Sequence, residues 1–383
     1  MNKHYDVIVV GLGAMGSAAC RHLAGRGVRV LGLEKFDIPN SNGSSHGFSR
    51  MIRMAYNEHP DYVPLLKSTF ALWHELEAES GQKLFHVTGG LYIGPPDGQT
   101  VGGSLLAAKT FGLPYELLDR ATLRRSFPQF TVREDFVGML EENAGFILPE
   151  KAVAAHALLA LRDGAELHGH ESVKAWSADD SGVRVTTDRG EYHAGRIVFC
   201  GGAWSDKLVR DLGVPLRVTR QVLGWVWPKK PEAFGLDRLP VWMIDHLDGS
   251  CHYGFPMMPD NPGFKLAHHH PGLPTDPDTV QRTPMPEDEQ TFRPTLQTQI
   301  PDADGPLLSL RICLYTSSPD SHFIIDQHPA HSRVILACGF SGHGFKFSPV
   351  VGQVLADLAI NGKTDHEIGL FCLGRFRADG NKL

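Results

Sequence analysis

Apolar residues run through this chain in three rhythms, and each rhythm predicts a different kind of element. Residues 7–10 (VIVV) are a continuous β-branched run, the pattern of a strand buried on both faces of a parallel sheet. Residues 14–24 then read as a helix, stopped by Gly25 and Gly27, and 28–33 as a second strand. Between 61 and 79, Val63, Leu66, Phe70, Leu72, Trp73 and Leu76 recur at helical spacing. The stretches 151–162 and 349–360 are also helical, with Pro349 where a first-turn proline is tolerated.

Shorter patterns lie between these. Residues 85–93 are strand-like, and 105–123 combine a short helix with a turn at Gly112-Leu113-Pro114. Residues 135–149 alternate like an antiparallel strand pair turning at Asn143-Ala144-Gly145. A hairpin is expected around Asp188-Arg189-Gly190, and 196–200 form a buried strand that ends at Gly201-Gly202-Ala203-Trp204. From 217 to 325 the chain is richer in Pro and His and alternates more. RQVLGWVWP, HYGFPM and GFKLAHHH read there as antiparallel strands, followed by a proline-rich loop at 271–286 and a helix near 288–298. The last unit runs from a strand at 334–338 through glycines to the 349–360 helix. The fold expected is α/β: a Rossmann-like nucleotide domain (1–84, 150–215 and 324–383) interleaved with an antiparallel-sheet substrate domain (85–149 and 216–323).

Composition narrows the function. The 383 residues are 42% hydrophobic and 21% charged, with net charge −6, so there is no electrostatic footprint for nucleic acid or an anionic membrane. No apolar run approaches the ~20 residues a membrane helix needs, and the chain enters its first strand with no cleavable signal pattern. Cys20, Cys200, Cys251, Cys313, Cys338 and Cys372 are scattered without a CxxC pair, which suggests neither a disulfide framework nor a zinc site. The expectation is a cytoplasmic protein with reduced thiols.

The chemistry begins at the first turn. Gly11, Gly13 and Gly16 have the Gly-x-Gly-x-x-Gly spacing: one for the tight turn, one for close approach of a pyrophosphate, one for helix packing on the strand. The helix offers its N-terminal amides to phosphate, and Glu34, at the end of the second strand, can accept bonds from an adenosine ribose. This predicts dinucleotide binding, without deciding between NAD and FAD. Arg50 and Arg53 are three apart, so on a helical turn they share a face suited to an anion. Ordinary pairing of these arginines with Glu58 or Asp61 is the alternative. Lys346, beside Gly342-His343-Gly344 and before the last helix, marks a second convergence of positive potential. The run His268-His269-His270 is not a metal site, because consecutive strand residues face opposite ways.

Several long motifs occur in order: GSSHGFSRMIRMAY (43–56), YVPL (62–65), Gly201-Gly202-Ala203-Trp204, Tyr253-Gly254-Phe255-Pro256, Lys265-Leu266 with His269, CLYTSSPDSHFIID (313–326) and GFSGHGFKFSPVVG (339–352). On these the chain resembles the monomeric sarcosine oxidase and N-methyltryptophan oxidase family of flavin-dependent amine oxidases, from residue 5 to about 376. The resemblance implies FAD attached covalently through Cys313, which taken alone is a small apolar residue in a strand. It implies cofactor contacts from Gly11, Gly13, Ala14, Met15 and Gly16, then Glu34 and Lys35. Ser44, Arg50, Met51 and Val173 follow, with Gly342, Gly344, Phe345 and Lys346 near the C-terminus. Arg53 and Lys346 match the pair that clamps a substrate carboxylate, and Arg50 a residue that tunes flavin charge. Lys265 matches a lysine that promotes reaction with oxygen, and Tyr253 and His269 match residues lining the substrate pocket.

The implied reaction oxidises a secondary amino acid, N-methyl or cyclic, to an imine that hydrolyses to aldehyde and amine, while O2 becomes H2O2. The implied protein is a monomer whose partners are a small amino acid and oxygen. A dehydrogenase of the same fold, or a non-catalytic flavin-binding subunit, is the rival reading. One departure stands out. The family commonly reads Ser-His-His-Gly-Asp-Thr-Arg where this chain has Ser44-Ser45-His46-Gly47-Phe48-Ser49-Arg50, so hydrogen bonding near the flavin should differ.

Overall fold

Val7 and Val9 point to one side of the first strand (His4–Val10) and Ile8 and Val10 to the other, and both sides are covered by separate apolar clusters. In this computed structural model, which describes residues 4–209, 211–260, 263–269 and 272–376, that strand lies at the centre of an eight-stranded sheet. It pairs in parallel with Val30–Leu33 on one side and Glu191–Phe199 on the other. Glu166–His168 and His331–Cys338 extend the parallel set, and the hairpin expected at Asp188-Arg189-Gly190 joins Gly182–Thr187 to Glu191–Phe199. Full burial of each Val or Ile here contributes roughly 1.5–3 kcal/mol over exposure, which is why the run tolerates no polar interruption.

Helix Ala14–Ala24 packs against both Pro149–Arg162 and Ser348–Asn361, and with the latter covers the Val7 and Val9 face. At Gly16 a Cβ would lie 1.8 Å from the Gly11 carbonyl oxygen, so the close turn foreseen from the glycine spacing is physically required. The helix Ser348–Asn361 crosses Ala14–Ala24 equally closely. A Cβ at Gly352 would lie 2.5 Å from the Ala18 Cβ and 2.6 Å from its carbonyl carbon.

The second sheet has nine strands. Arg217–Val226 pairs antiparallel with Leu307–Ser317 along its length and, on the other side, with Phe264–His269. Next come Cys251–Phe255 and Val241–Asp245, whose parallel pairing with Gly90–Gly94 interrupts an otherwise antiparallel order. Trp242, Phe264, Leu266, Phe292 and Leu296 form the core on one of its faces. A third sheet of three short strands, Arg50–Ile52, Gly145–Ile147 and Phe85–Val87, lies apart from both.

Four expectations need correction. The segment around Arg50 and Arg53 is a strand, Arg50–Ile52, because Met51 and Ile52 pair with Phe146 and Gly145 and bury between neighbours. Residues 135–149 are not a hairpin. Val137–Glu141 joins the nine-stranded sheet and Gly145–Ile147 the small one, so two strands three residues apart never meet. The mixed segment near 105–123 is a longer helix, Gln99–Phe111, then a strand, Glu116–Leu118, and a second helix, Arg120–Ser126. The helix near 288–298 is a 3₁₀ segment, Pro286–Thr291, followed by Arg293–Gln299. His270 lies outside the described residues.

In an uncrowded helix, Gly to Ala stabilises by roughly 0.5–1 kcal/mol. At Gly352 the sign should reverse, because the new methyl meets the Ala18 backbone; Gly352→Ala is expected to cost roughly 1–3 kcal/mol. Thermal denaturation checks this, and a melting temperature equal to or above that of the parent rules out the tight crossing.

Candidate functional site

A cavity of about 450 Å³ runs from the glycine turn to the nine-stranded sheet. At its first end, helix Ala14–Ala24 begins with Gly13, which has no side chain to cap the first-turn amides. Ser45, far along the chain, accepts a hydrogen bond from the Ala14 amide at 3.1 Å. A positive helix end whose own N-cap residue is a glycine, in a turn open enough for backbone contact, fits the pyrophosphate of a dinucleotide. Glu34 faces the same end and is buried. Its two oxygens take the Leu12 amide at 2.8 Å and the Phe36 amide at 3.0 Å, and burial pushes its pKa up despite those bonds. Each oxygen keeps a lone pair for a ribose hydroxyl. Lys35, also on the rim, is paired with Asp278 at 2.7 Å.

Val173 also lines the cavity, and Ser44, Arg50, Met51 and Cys313 continue its wall. Arg50 donates to the Ser44 carbonyl at 2.7 Å and to the Ser49 carbonyl at 2.9 Å, and its Nη2 lies 3.6 Å from the Cys313 Sγ. Cys313 is 2% exposed, on the strand Leu307–Ser317 opposite Gln221. The Arg50 guanidinium is thus in direct contact with this sulfur.

The far end holds two more cations. The Arg53 Nη2 donates to both carboxylate oxygens of Glu58, at 2.9 and 2.8 Å, and the guanidinium lies over the Tyr56 ring. Burial raises the Glu58 pKa, but Arg53 outweighs it, with His343 and Lys346 assisting, and holds it at about 2. Pairing of Arg53 with Glu58 was the ordinary alternative in the sequence; it occurs, but buried and on the cavity wall rather than at the surface. Lys346 donates to the His343 carbonyl at 2.8 Å and to the Tyr56 hydroxyl at 3.3 Å. The His343 Nε2 faces the Ser321 carbonyl at 3.0 Å, so that nitrogen carries the proton and Nδ1 accepts from Tyr56 at 2.7 Å. Burial, then the Arg53 charge, lowers the Lys346 pKa to about 7. Tyr253 and His269 complete this end, and His269 Nδ1 lies 3.2 Å from the Tyr315 hydroxyl.

The cavity thus gathers nearly every residue singled out in the sequence: Gly11, Gly13, Ala14 and Met15 at one end, Gly342, Gly344, Phe345 and Lys346 at the other. Two are not on its wall. Gly16 sits behind the turn. Lys265 is completely buried on a central strand, its Nζ donating to the carbonyls of Gly47 (2.6 Å) and Ser49 (2.8 Å) and to the Ser49 hydroxyl (3.1 Å). The alternative of a solvated edge-strand lysine is therefore excluded, since its strand is paired on both sides. Sequence reasoning missed Tyr56, Tyr315 and His343, although each lay inside a quoted motif. It also missed Glu141, a buried carboxylate that takes the Met54 amide at 2.6 Å, the Ala55 amide at 3.2 Å and the Tyr92 hydroxyl at 2.8 Å, anchoring the segment after Arg53. No local signal marked it.

Residues 6–358 match the family described as FAD dependent oxidoreductase. The chain is 46% identical over 375 residues to a monomeric sarcosine oxidase of Streptomyces avermitilis, covering 97% of each chain. It is 32% identical over 383 residues to an N-methyl-L-tryptophan oxidase of Salmonella enteritidis, covering 97% of this chain and 99% of that one. Among solved structures it is similar to NikD, an amino acid oxidase essential for nikkomycin biosynthesis, in its open form. The TM-score is 0.85, with 27% identity over 97% of both chains.

With the Lys346 pKa near 7 beside an arginine, the positive charge at this end of the cavity falls as pH rises through that value. Methoxyacetate, a carboxylate without an amine, is expected to bind more weakly as pH rises above about 7, approaching tenfold per pH unit. Isothermal titration measures this. Lys346→Met should flatten the dependence, and an unchanged slope in that variant would assign the titration to another group.

Proposed function

The chain belongs to the monomeric sarcosine oxidase and N-methyl-L-tryptophan oxidase family of FAD-dependent oxidoreductases, and on that footing we propose that it oxidises a small secondary amino acid, such as sarcosine, to an imine. Water then hydrolyses the imine to an aldehyde and an amine. Bound FAD would supply the two-electron acceptor for the hydride lost from the C–H bond beside the amine nitrogen, and oxygen, with two protons, would take those electrons to become H2O2. The observation that carries this reading is one continuous cavity with a glycine-led helix start and Glu34 at one end and two buried cations at the other. Cys313 and Arg50 stand between them.

In this reading Arg53 and Lys346 hold the substrate carboxylate, a planar fork plus a point charge. Glu58 holds Arg53 until the carboxylate arrives. Tyr253 and His269 border the amine, and Tyr315 fixes the His269 ring. The buried end excludes water, so the amine nitrogen can stay neutral and its lone pair can assist C–H cleavage. Arg50, held by two backbone carbonyls, presents positive charge where negative charge develops on reduction. We assign Cys313 as the covalent attachment point, supported by its burial against Arg50. The division into an FAD-binding part (1–84, 150–215, 324–383) and a substrate part (85–149, 216–323) belongs to the same reading. So do a monomeric state and a cytoplasmic location, which suits six free cysteines. Among the described residues no helix is long and apolar enough to cross a membrane.

A dehydrogenase of the same fold has one observation in its favour: the Lys265 ammonium is covered by the 47–49 turn instead of facing the cavity.

The visible spectrum of the purified protein, before and after acid precipitation, tests the cofactor assignment. Yellow colour should stay with the pellet, and Cys313→Ser should release it to the supernatant; release from the parent protein removes the covalent claim. Anaerobic sarcosine should then bleach the holoenzyme, and air should restore the colour with peroxide formed. Bleaching without restoration by oxygen selects the dehydrogenase, and no bleaching by any secondary amino acid overturns the amine-oxidising function.

A further inference from the structure

The turn that covers Lys265 is held in an unusual conformation. Gly47 and Phe48 have φ of +98° and +67°. The value is easy for glycine but strained for phenylalanine, which keeps such a backbone only where its surroundings over-determine it. What determines it is visible. Glu150, in the first turn of helix Pro149–Arg162, lies about a hundred residues away in sequence. It accepts the Gly47 amide at 2.6 Å and the Phe48 amide at 3.2 Å from each carboxylate oxygen. The Phe48 ring is pinned from the other side, edge-on to Trp225 and under the Arg311 guanidinium.

The turn's other polar groups point at one atom. The Gly47 amide goes to Glu150 and the Ser49 amide closes the turn on the Gly47 carbonyl at 2.8 Å, while the carbonyls of both residues and the Ser49 hydroxyl surround the Lys265 Nζ. The rings of Phe255 and Trp225 face the same ammonium, at 4.6 and 5.5 Å. Two carbonyls, which can only accept, and a hydroxyl oxygen match the three donors of an ammonium, whereas a neutral amine has only two N–H groups for them and would need the Ser49 hydroxyl to turn and donate.

We infer that Glu150 is a positioning residue: by clamping the Gly47 and Phe48 amides it fixes the turn whose carbonyls hold Lys265 as a cation behind Arg50. The charges around the ammonium make this necessary. Burial and then Arg50 push the Lys265 pKa well down, and Arg311 adds to them; Glu150 is the main group that opposes. His46, the remaining titratable group nearby, is itself pushed down to about 3 by burial and these cations, so it adds no charge. Glu150 therefore acts twice, as the acceptor that shapes the turn and as negative charge opposing the loss of the lysine's proton. The role of Lys265 with oxygen rests on the proposed oxidase reading; its being held by Glu150 does not.

The experiment compares holoenzyme with Glu150→Gln and Glu150→Ala. Gln keeps the shape and loses the charge, and Ala loses both. Hydrogen exchange of the peptide containing the Gly47 and Phe48 amides should quicken at least about tenfold in Glu150→Ala, because the two bonded donors are freed. With lysine labelled at ¹³Cε, and its Lys265 signal identified by its loss in Lys265→Met, that signal should titrate at lower pH in both variants. Anaerobic reduction by sarcosine should keep its rate, while reaction of the reduced holoenzyme with oxygen should fall about tenfold or more. An unchanged Lys265 titration together with unchanged exchange overturns the inference, whatever happens to turnover. A shifted titration with an unchanged oxygen rate keeps the positioning role and removes Lys265 from the oxygen chemistry. Should Glu150→Ala fail to fold, Glu150→Gln alone still decides through the titration.

Discussion

Four basic side chains, Arg50, Arg53, Lys265 and Lys346, surround or back one cavity, the last three buried, and removing a charge from water costs several kcal/mol unless acceptors replace the lost hydration. The fold around this site is organised by that requirement. Arg53 is matched by Glu58, Lys346 by a carbonyl and a tyrosine, Lys265 by the 47–49 turn, and Arg50 by two more carbonyls. The compensation is incomplete by design of the cavity: Lys346 is left with a pKa near 7, which keeps it responsive to an anion that enters.

Three sheets meet to make this arrangement. The eight-stranded sheet contributes the glycine turn and Glu34, and the nine-stranded sheet contributes Tyr253, Lys265, His269 and Cys313. The small sheet holds Arg50 and Met51 between them. Because the pieces come from rigid strands, the cavity is preorganised for a long two-ended ligand, with phosphate at the helix start and a reacting group near the cations.

Much of this was legible. The glycine spacing, the buried run at 7–10 and Glu34 are local patterns whose meaning does not depend on what else the chain does. The long helices and the alternating strands of 217–325 were legible for the same reason. Arg50 and Arg53 show the limit. Their spacing suits a helical turn, but the segment pairs as a strand, because pairing partners more than ninety residues away outweigh local preference. The supposed hairpin at 135–149 failed likewise: alternation marks two strands without saying which sheets they join. Glu58 was named as a partner for these arginines, yet its burial on the cavity wall was not foreseeable from spacing.

By itself the sequence determined the dinucleotide turn, the α/β class and the identity of nearly all the side chains that line the cavity. Each of those depends on residue type at short range, on a period of 2 or 3.6, or on motifs read whole. Only the tertiary structure decided how their charges are balanced. Glu141 and Glu150 reach the 53–55 segment and the 47–48 turn from about 90 and 100 residues away, and Ser45 caps a helix that begins 31 residues before it. A hydrogen bond has a reach of about 3 Å and no memory of chain distance, so its partners cannot be read until the chain has been folded.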